Sequence, residues 1–240
     1  MDIYQNQNIN INQAKKIFTE NKDAVFVACN ISGHLKSVDK NFENATFKNC
    51  IFSGIDFENA NFRYANLENS KFENSNLAYA DFKSANLSGM EVRNIDMTGA
   101  DFCGANVYSA VFEGTILKDV LSDSTTKWFS LRCPKEGAFI GWKCCSELRV
   151  VQLLIPKDAK RVSATRESCR TDKAKVLSIK SIDETKIYDW AQSTVDPDFF
   201  YERGEWVYPA NGFEEDRWKD SSRGIHFFMN RDEAIEYQTI

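Results

Sequence analysis

The chain has no run of eighteen apolar residues, so a membrane-spanning helix is excluded on length alone. Its opening, MDIYQNQNININ, has neither a basic start nor an apolar centre, and no signal peptide is expected. Histidine is scarce, with His34 and His226 the only two among 240 residues. The seven cysteines, Cys29, Cys50, Cys103, Cys133, Cys144, Cys145 and Cys169, form no C-x-x-C pair. An odd and scattered set argues for reduced thiols in a cytoplasm rather than for a disulfide framework. The net charge of −5 is mild for this length, and it gives no support to nucleic acid as a partner.

What is present is a five-residue period. Apolar anchors recur every fifth position from Phe42 to Leu117 without a slip, sixteen in all. Two residues before most of them stands a small residue, as at Ala45, Ala60, Ala65, Ser70, Ala80 and Ala100. Between the two lies Asn or Asp in ten of the sixteen units. A helix repeats every 3.6 residues and a strand every second one, so neither fits alone. A short extended segment followed by a corner does fit, because positions i−2 and i then share one face. A fixed period of this kind marks a solenoid whose units pack on their neighbours. Anchors and small residues are therefore expected inside, and only the outward residues of each unit are free for recognition. The repeat contains no histidine and no catalytic set.

The units ANFRY, ANLEN, ADFKS, ANLSG, ADFCG and ANVYS resemble the pentapeptide-repeat family, A-(D/N)-(L/F)-x-x. The resemblance implies an all-β right-handed quadrilateral β-helix with four units per coil, hence four coils over residues 41–121. At about 4.8 Å between stacked strands such a shaft is about 19 Å tall. Ile55, Met90 and Ile95 are large for the small-residue position and are expected to bulge the wall. The resemblance also brings in a DNA-mimic function, since long acidic members of the family imitate duplex DNA. Residues 42–121 carry six Lys or Arg against eleven Asp or Glu, well below the charge density of a duplex, about one per 1.7 Å. The open ends of the solenoid are candidate surfaces for self-association.

Residues 1–40 read as an N-terminal cap, with a short helix over 12–18 capped by Asn12 and a strand over 24–29. The polar stretch 122–127 reads as a linker. Residues 128–240 then read as an α+β domain, with strands over 137–143, 148–155, 175–179 and 224–229 and a closing helix from Arg231. This half is similar to an uncharacterised domain that follows pentapeptide repeats in bacterial and bacteriophage proteins. EGAFIGWKCC, VVQLLIPKDAKRVSATRESCRTDKAKVLSI and FEEDRWKDSSRGIHFFMNRDEAIEY carry the similarity. It points to a bacterial or phage source and brings no activity with it.

Three constellations could carry chemistry. Lys160, Arg161, Arg166 and Arg170, with interleaved hydroxyls, suit a phosphate or carboxylate, and His226 is the remaining candidate for such an anion site. The same charges could instead line a solvated hairpin. The stretch Gly224–Phe228, followed by Ala234 and Tyr237, shows a likeness to the G-I-Y-F…A-x-Y segment of ADP-ribosyltransferase folds. There Lys143 stands where His or Arg is expected, and no later strand supplies a glutamate. Cys144, Cys145, Cys169 and His226 match no zinc spacing, and no metal or cofactor is expected. Aromatic residues are dense over 190–218 and divide between core and binding surface. The chain thus reads as a non-enzymatic recognition or scaffold protein whose C-terminal domain binds a protein partner. The alternatives are a nucleotide- or anion-binding domain of degenerate transferase-like fold, and a DNA-mimic inhibitor.

Overall fold

The structure is a computed structural model that describes residues 2–35 and 40–239. It divides into two compact units, residues 2–130 and 131–239.

The first unit begins with strands β1 (Ile3–Gln5) and β2 (Asn8–Asn10), helix α1 (Ile11–Glu20), and strands β3 (Val25–Val27) and β4 (Asn30–Ser32). Strands β5 (Thr46–Lys48), β6 (Ile51–Ser53) and β7 (Lys71–Glu73) follow. All pairing is parallel: β1–β3–β5 form one sheet and β2–β4–β6–β7 another. From residue 41 to Leu121 the partner of each paired residue lies twenty positions later, as in Asn41, Asn61, Asp81 and Asp101, and the last rung, Asn106 with Lys127, is offset by 21. Four five-residue units therefore make one turn of the chain. Each rung exchanges two backbone hydrogen bonds. The Phe62 N–H donates to the Asp81 carbonyl and the Asp81 N–H to the Ala60 carbonyl, both at 2.8 Å.

The residue preferences of the repeat follow from this geometry. Every anchor from Phe42 to Phe112 is buried, and Leu117 at the end is half-buried. Anchors twenty apart stack: Phe42, Phe62, Phe82 and Phe102 lie with successive ring centroids 5.2, 5.2 and 5.7 Å apart. Each of the ten Asn or Asp residues before an anchor accepts a hydrogen bond from the N–H two positions on, closing the corner as an Asx turn. The second residue after most anchors takes positive φ, from Asn44 at 62° to Asp119 at 55°. Asn and Gly dominate there because a left-handed corner strains other side chains. Gly99 also has Tyr79 from the preceding turn lying across it, where an added Cβ would come within 2.5 Å of the ring.

Ile55, Met90 and Ile95 are all buried, and the ladder continues past them. The rung from the Asn76 N–H to the Ile55 carbonyl stretches to 3.3 Å, while those at Met90 and Ile95 are 2.8 and 2.9 Å. Residues 2–35 add turns of the same coil with offsets of 22 and 21 rather than twenty. Helix α1 takes the place of two sides of the first turn and buries Ile11, Ala14 and Phe18. Its N-cap is Asn10, not Asn12: the Asn10 side chain accepts from the Asn12 N–H at 2.9 Å. Lys15 reaches from this helix to the Asn41 carbonyl and lies over the Phe42 ring, covering the end of that column. Part of the expected cap, residues 36–39, lies outside the described residues. Residues 122–127, read as a linker, pair with the last turn. Lys127 bridges Asn106, and the Thr126 hydroxyl donates to the Phe102 carbonyl at 3.0 Å. Phe129 then packs on Phe102 at 5.5 Å.

The second unit contains β8 (Phe139–Cys144), β9 (Val150–Ile155), β10 (Arg161–Ser163), β11 (Cys169–Thr171) and β12 (Ala174–Lys180). After them come β13 (Trp190–Gln192), β14 (Phe200–Glu202), β15 (Trp206–Val207), β16 (Ile225–Phe227) and helix α2 (Arg231–Thr239). Its main sheet has the order β15–β12–β9–β8, and a smaller one β10–β11–β16, all antiparallel. The two meet at a single bridge, where Trp142 and Phe228 exchange backbone hydrogen bonds of 2.8 and 2.7 Å. Val151, Leu153, Ile155, Val176 and Phe227 form the core between them. Gly141 on β8 permits the closeness, since a Cβ there would meet the Phe227 ring at 2.6 Å. Among the described residues no helix is long and apolar enough to cross a membrane.

Candidate functional site

The five basic and histidine candidates do not converge. Lys160 pairs with Glu215 on the surface. Arg161 donates to the carbonyls of Ala159, Gly137, Pro156 and Lys157 at 2.7–3.1 Å and lies over the Phe139 ring. Arg166, half exposed, stands 3.9 Å from Asp220. Arg170 is only 3% exposed. Its guanidinium donates to the carbonyls of Glu214, Arg223 and Asp216 at 3.0–3.1 Å, tying the 214–223 loop to β11. Burial lowers its pKa, against the pull of the nearby Asp220, Glu214 and Asp216 carboxylates. Two of the five therefore satisfy backbone carbonyls that would otherwise be orphaned, which is a folding role.

His226 pairs with Arg170 across β16 and β11, and it lines a cavity of about 440 Å³. The Ser222 carbonyl accepts from its Nε2 at 2.8 Å, which fixes the tautomer of the neutral ring. Burial pushes the His226 pKa down. The Ser222 hydrogen bond and Asp220 oppose that shift, while the Lys143 and Arg170 charges add to it. Lys143, on β8, lines the same cavity. The protein is packed so densely around its ammonium that desolvation lowers its pKa as well. Phe228 and, from helix α2, Ala234 and Tyr237 complete one wall. The 193–199 and 209–212 loops also line it.

The sequence points to His226, Ala234 and Tyr237, whereas Lys143 reads there only as a departure from a transferase pattern. The loop walls were missed; their turn-rich STVDPD and PANG composition was the available signal. Among the described residues no three His, Cys, Asp or Glu side chains are placed to hold a metal.

On the first unit, each of the six cations of residues 42–121 has a carboxylate within 4.0 Å, as for Arg63–Asp81 at 2.6 Å, Lys48–Glu68 at 3.0 Å and Lys118–Asp119 at 4.0 Å. The acidic excess is thus interleaved with cations, unlike the uninterrupted phosphates of a duplex. In the second unit several large apolar side chains stay exposed. Trp190 and Phe200 are 45% and 43% accessible and pack edge to face at 5.8 Å on the β13–β14 hairpin. Arg149 stacks on both Tyr188 and Trp190.

Residues 38–120 match the family described as pentapeptide repeat region, and residues 129–234 match a family of unknown function (DUF5758). Among solved structures the chain is similar to the pentapeptide repeat protein Rfr23 from the cyanobacterium Cyanothece 51142. The identity is 22% over 52% of this chain and 82% of that one, with a TM-score of 0.36. It is also similar to HetL, a pentapeptide repeat protein involved in heterocyst differentiation regulation in Nostoc sp. strain PCC 7120. That match is 21% identical over 41% of this chain and 51% of that one, with a TM-score of 0.35. A third is a pentapeptide repeat protein of the Arabidopsis thaliana thylakoid lumen, 27% identical over 33% of this chain and 59% of that one, with a TM-score of 0.26. No curated protein matches the chain. Residues 38–120 are thus a pentapeptide repeat region, followed at residues 129–234 by a domain of the DUF5758 family.

Proposed function

We infer that the chain is a non-enzymatic recognition protein, in which the repeat region is a rigid platform and the C-terminal α+β domain binds a protein partner. The platform is read as a right-handed quadrilateral β-helix of four coils over residues 41–121, supported by the twenty-residue offset of its rungs. Its interior is filled with stacked anchors and its corners are closed by their own side chains, so little of it can rearrange on binding. The observation that carries partner binding is the exposed Trp190–Phe200 pair with Arg149 against it. Tryptophan, other aromatics and arginine are enriched where interfaces concentrate their energy. A soluble monomer has little reason to leave such a group uncovered.

The test is affinity capture from a bacterial lysate with the intact chain and with a Trp190→Ser/Phe200→Ser variant, compared by quantitative mass spectrometry. A defined set of proteins retained by the parent and lost by the variant is expected. Equal recovery by both, or nothing above background with the parent, would dismiss this reading.

A further inference from the structure

Lys143 has an unusual setting for a lysine. Among the described residues no carboxylate lies within ion-pair distance of it and its ammonium makes no hydrogen bond, although the surrounding protein strips much of its water away. Taking an ammonium out of water without a partner is costly, and proteins ordinarily supply a counter-charge. Lys143 lines the cavity of about 440 Å³. That volume falls within the usual range for small-molecule sites, roughly 300–1,000 Å³.

The rest of the lining is selective. Phe199 and Phe228 give apolar ring surface, and Ala234 adds a small apolar floor. The Ser193 oxygen already accepts from the Val195 and Asp196 N–H groups at 3.3 and 3.4 Å, which leaves its hydroxyl hydrogen to donate. Burial favours the neutral ring of His226, whose Nε2 donates to the Ser222 carbonyl. Two lining cations, Lys143 and Arg223, outnumber the one lining carboxylate, Asp196, and with a hydroxyl donor and aromatic rings they suit a molecule with an anionic head and a flat body. A fully hydrated inorganic ion would gain only the first of these.

We propose that this cavity binds a small organic anion with an aromatic body, its carboxylate or phosphate head resting on the Lys143 ammonium. The site is separate from the exposed Trp190–Phe200 surface, so its failure would leave the partner-binding reading untouched.

The experiment is calorimetric titration and thermal shift of the full chain with AMP and with indole-3-carboxylate. Adenosine, indole and inorganic phosphate serve as controls that carry one half of the chemistry each. At least one aromatic anion is expected to bind below about 1 mM, and its uncharged counterpart and phosphate at least about tenfold more weakly. Lys143→Met should weaken the anion by about tenfold or more, and Lys143→Arg, which keeps the charge, by less. Without ligand, Lys143→Met should melt no lower than the parent, because an unpaired, half-buried charge has been replaced by an apolar chain of similar length. Neither aromatic anion binding at about 5 mM, or unchanged affinity in Lys143→Met, would overturn the proposal. Should the variant not fold, the parent decides alone, since adenosine or indole binding as tightly as its anion would equally overturn it.

Discussion

Phe62 offers the sharpest test of how the coil is held together. Its ring is fully buried and lies between Phe42 and Phe82, each 5.2 Å away and within 14° of parallel. Phe57 meets it edge-on at 5.3 Å. Phe62→Ala removes the ring from these contacts and from Phe72, edge-on at 6.4 Å, and leaves a void in a shaft too narrow to collapse around it. Burial alone gives about 4 kcal/mol, from roughly 150 Å² at about 25 cal/mol per Å². Measured core Phe→Ala losses fall at about 3–5 kcal/mol. Phe62→Leu should cost only about 1 kcal/mol, because Leu67 and Leu87 fill the same position in the neighbouring column. Urea unfolding followed by circular dichroism gives the stability change. Hydrogen exchange with mass spectrometry locates it: peptides within 41–121 should lose protection and those from 139 onward should not. A loss below about 1.5 kcal/mol for Phe62→Ala, or equal losses for Ala and Leu, would refute the column as the source of stability.

The other predictions concern charge and sulfur. Arg170→Met should destabilise the second unit by about 2–4 kcal/mol in urea titrations, because three loop carbonyls lose their donor; a neutral outcome would show that the loop is held by other means. Asp123, which accepts from Thr125 and Thr126, has its pKa lowered to about 2. Its contribution to closing the last turn is therefore present above the unfolded value of about 3.9 and is lost as pH falls through about 2. An NMR titration of its carboxyl carbon with a midpoint near 3.9 would contradict those hydrogen bonds. Six of the seven cysteines are buried and Cys103 is half-buried. A thiol reagent under native conditions should thus find one site, Cys103. That site should react slowly at pH 7 and about tenfold faster per pH unit up to about 11, where the Asp101 hydrogen bond has pushed its pKa. Several fast thiols at neutral pH would mean that the interior is open.

The repeat was legible because its period has one cause, a corner every fifth residue, and the ten Asn and Asp positions are ten Asx turns. The first turns were not. Tyr4 and Ile9, and again Phe26 and Ile31, keep the five-residue spacing, but helix α1 and offsets of 22 and 21 put them out of phase with Phe42. In the second unit the strands with continuous apolar runs, β8, β9 and β12, were readable, whereas the short β10, β11, β13 and β14 were not. The basic run misled for a specific reason. An arginine in sequence looks like a ligand for an anion, and nothing local shows that its acceptors are carbonyls 44–53 residues away, as for Arg170. Lys143 was passed over for the converse reason, since the lack of a counter-ion appears only when every neighbour is in place.

The twenty-residue offset of the rungs has a consequence for how such a chain can change its length. Duplicating any twenty consecutive residues within 41–121 would return every anchor to its own column and leave both covered ends as they are. Each such copy would lengthen the shaft by one strand spacing, about 4.8 Å. An insertion of five keeps the local motif but places Phe62 over Phe47 rather than Phe42, so every column above it changes its partner. Growth by whole turns is therefore nearly free of repacking, and the size of the platform is quantised by gene duplication rather than tuned residue by residue.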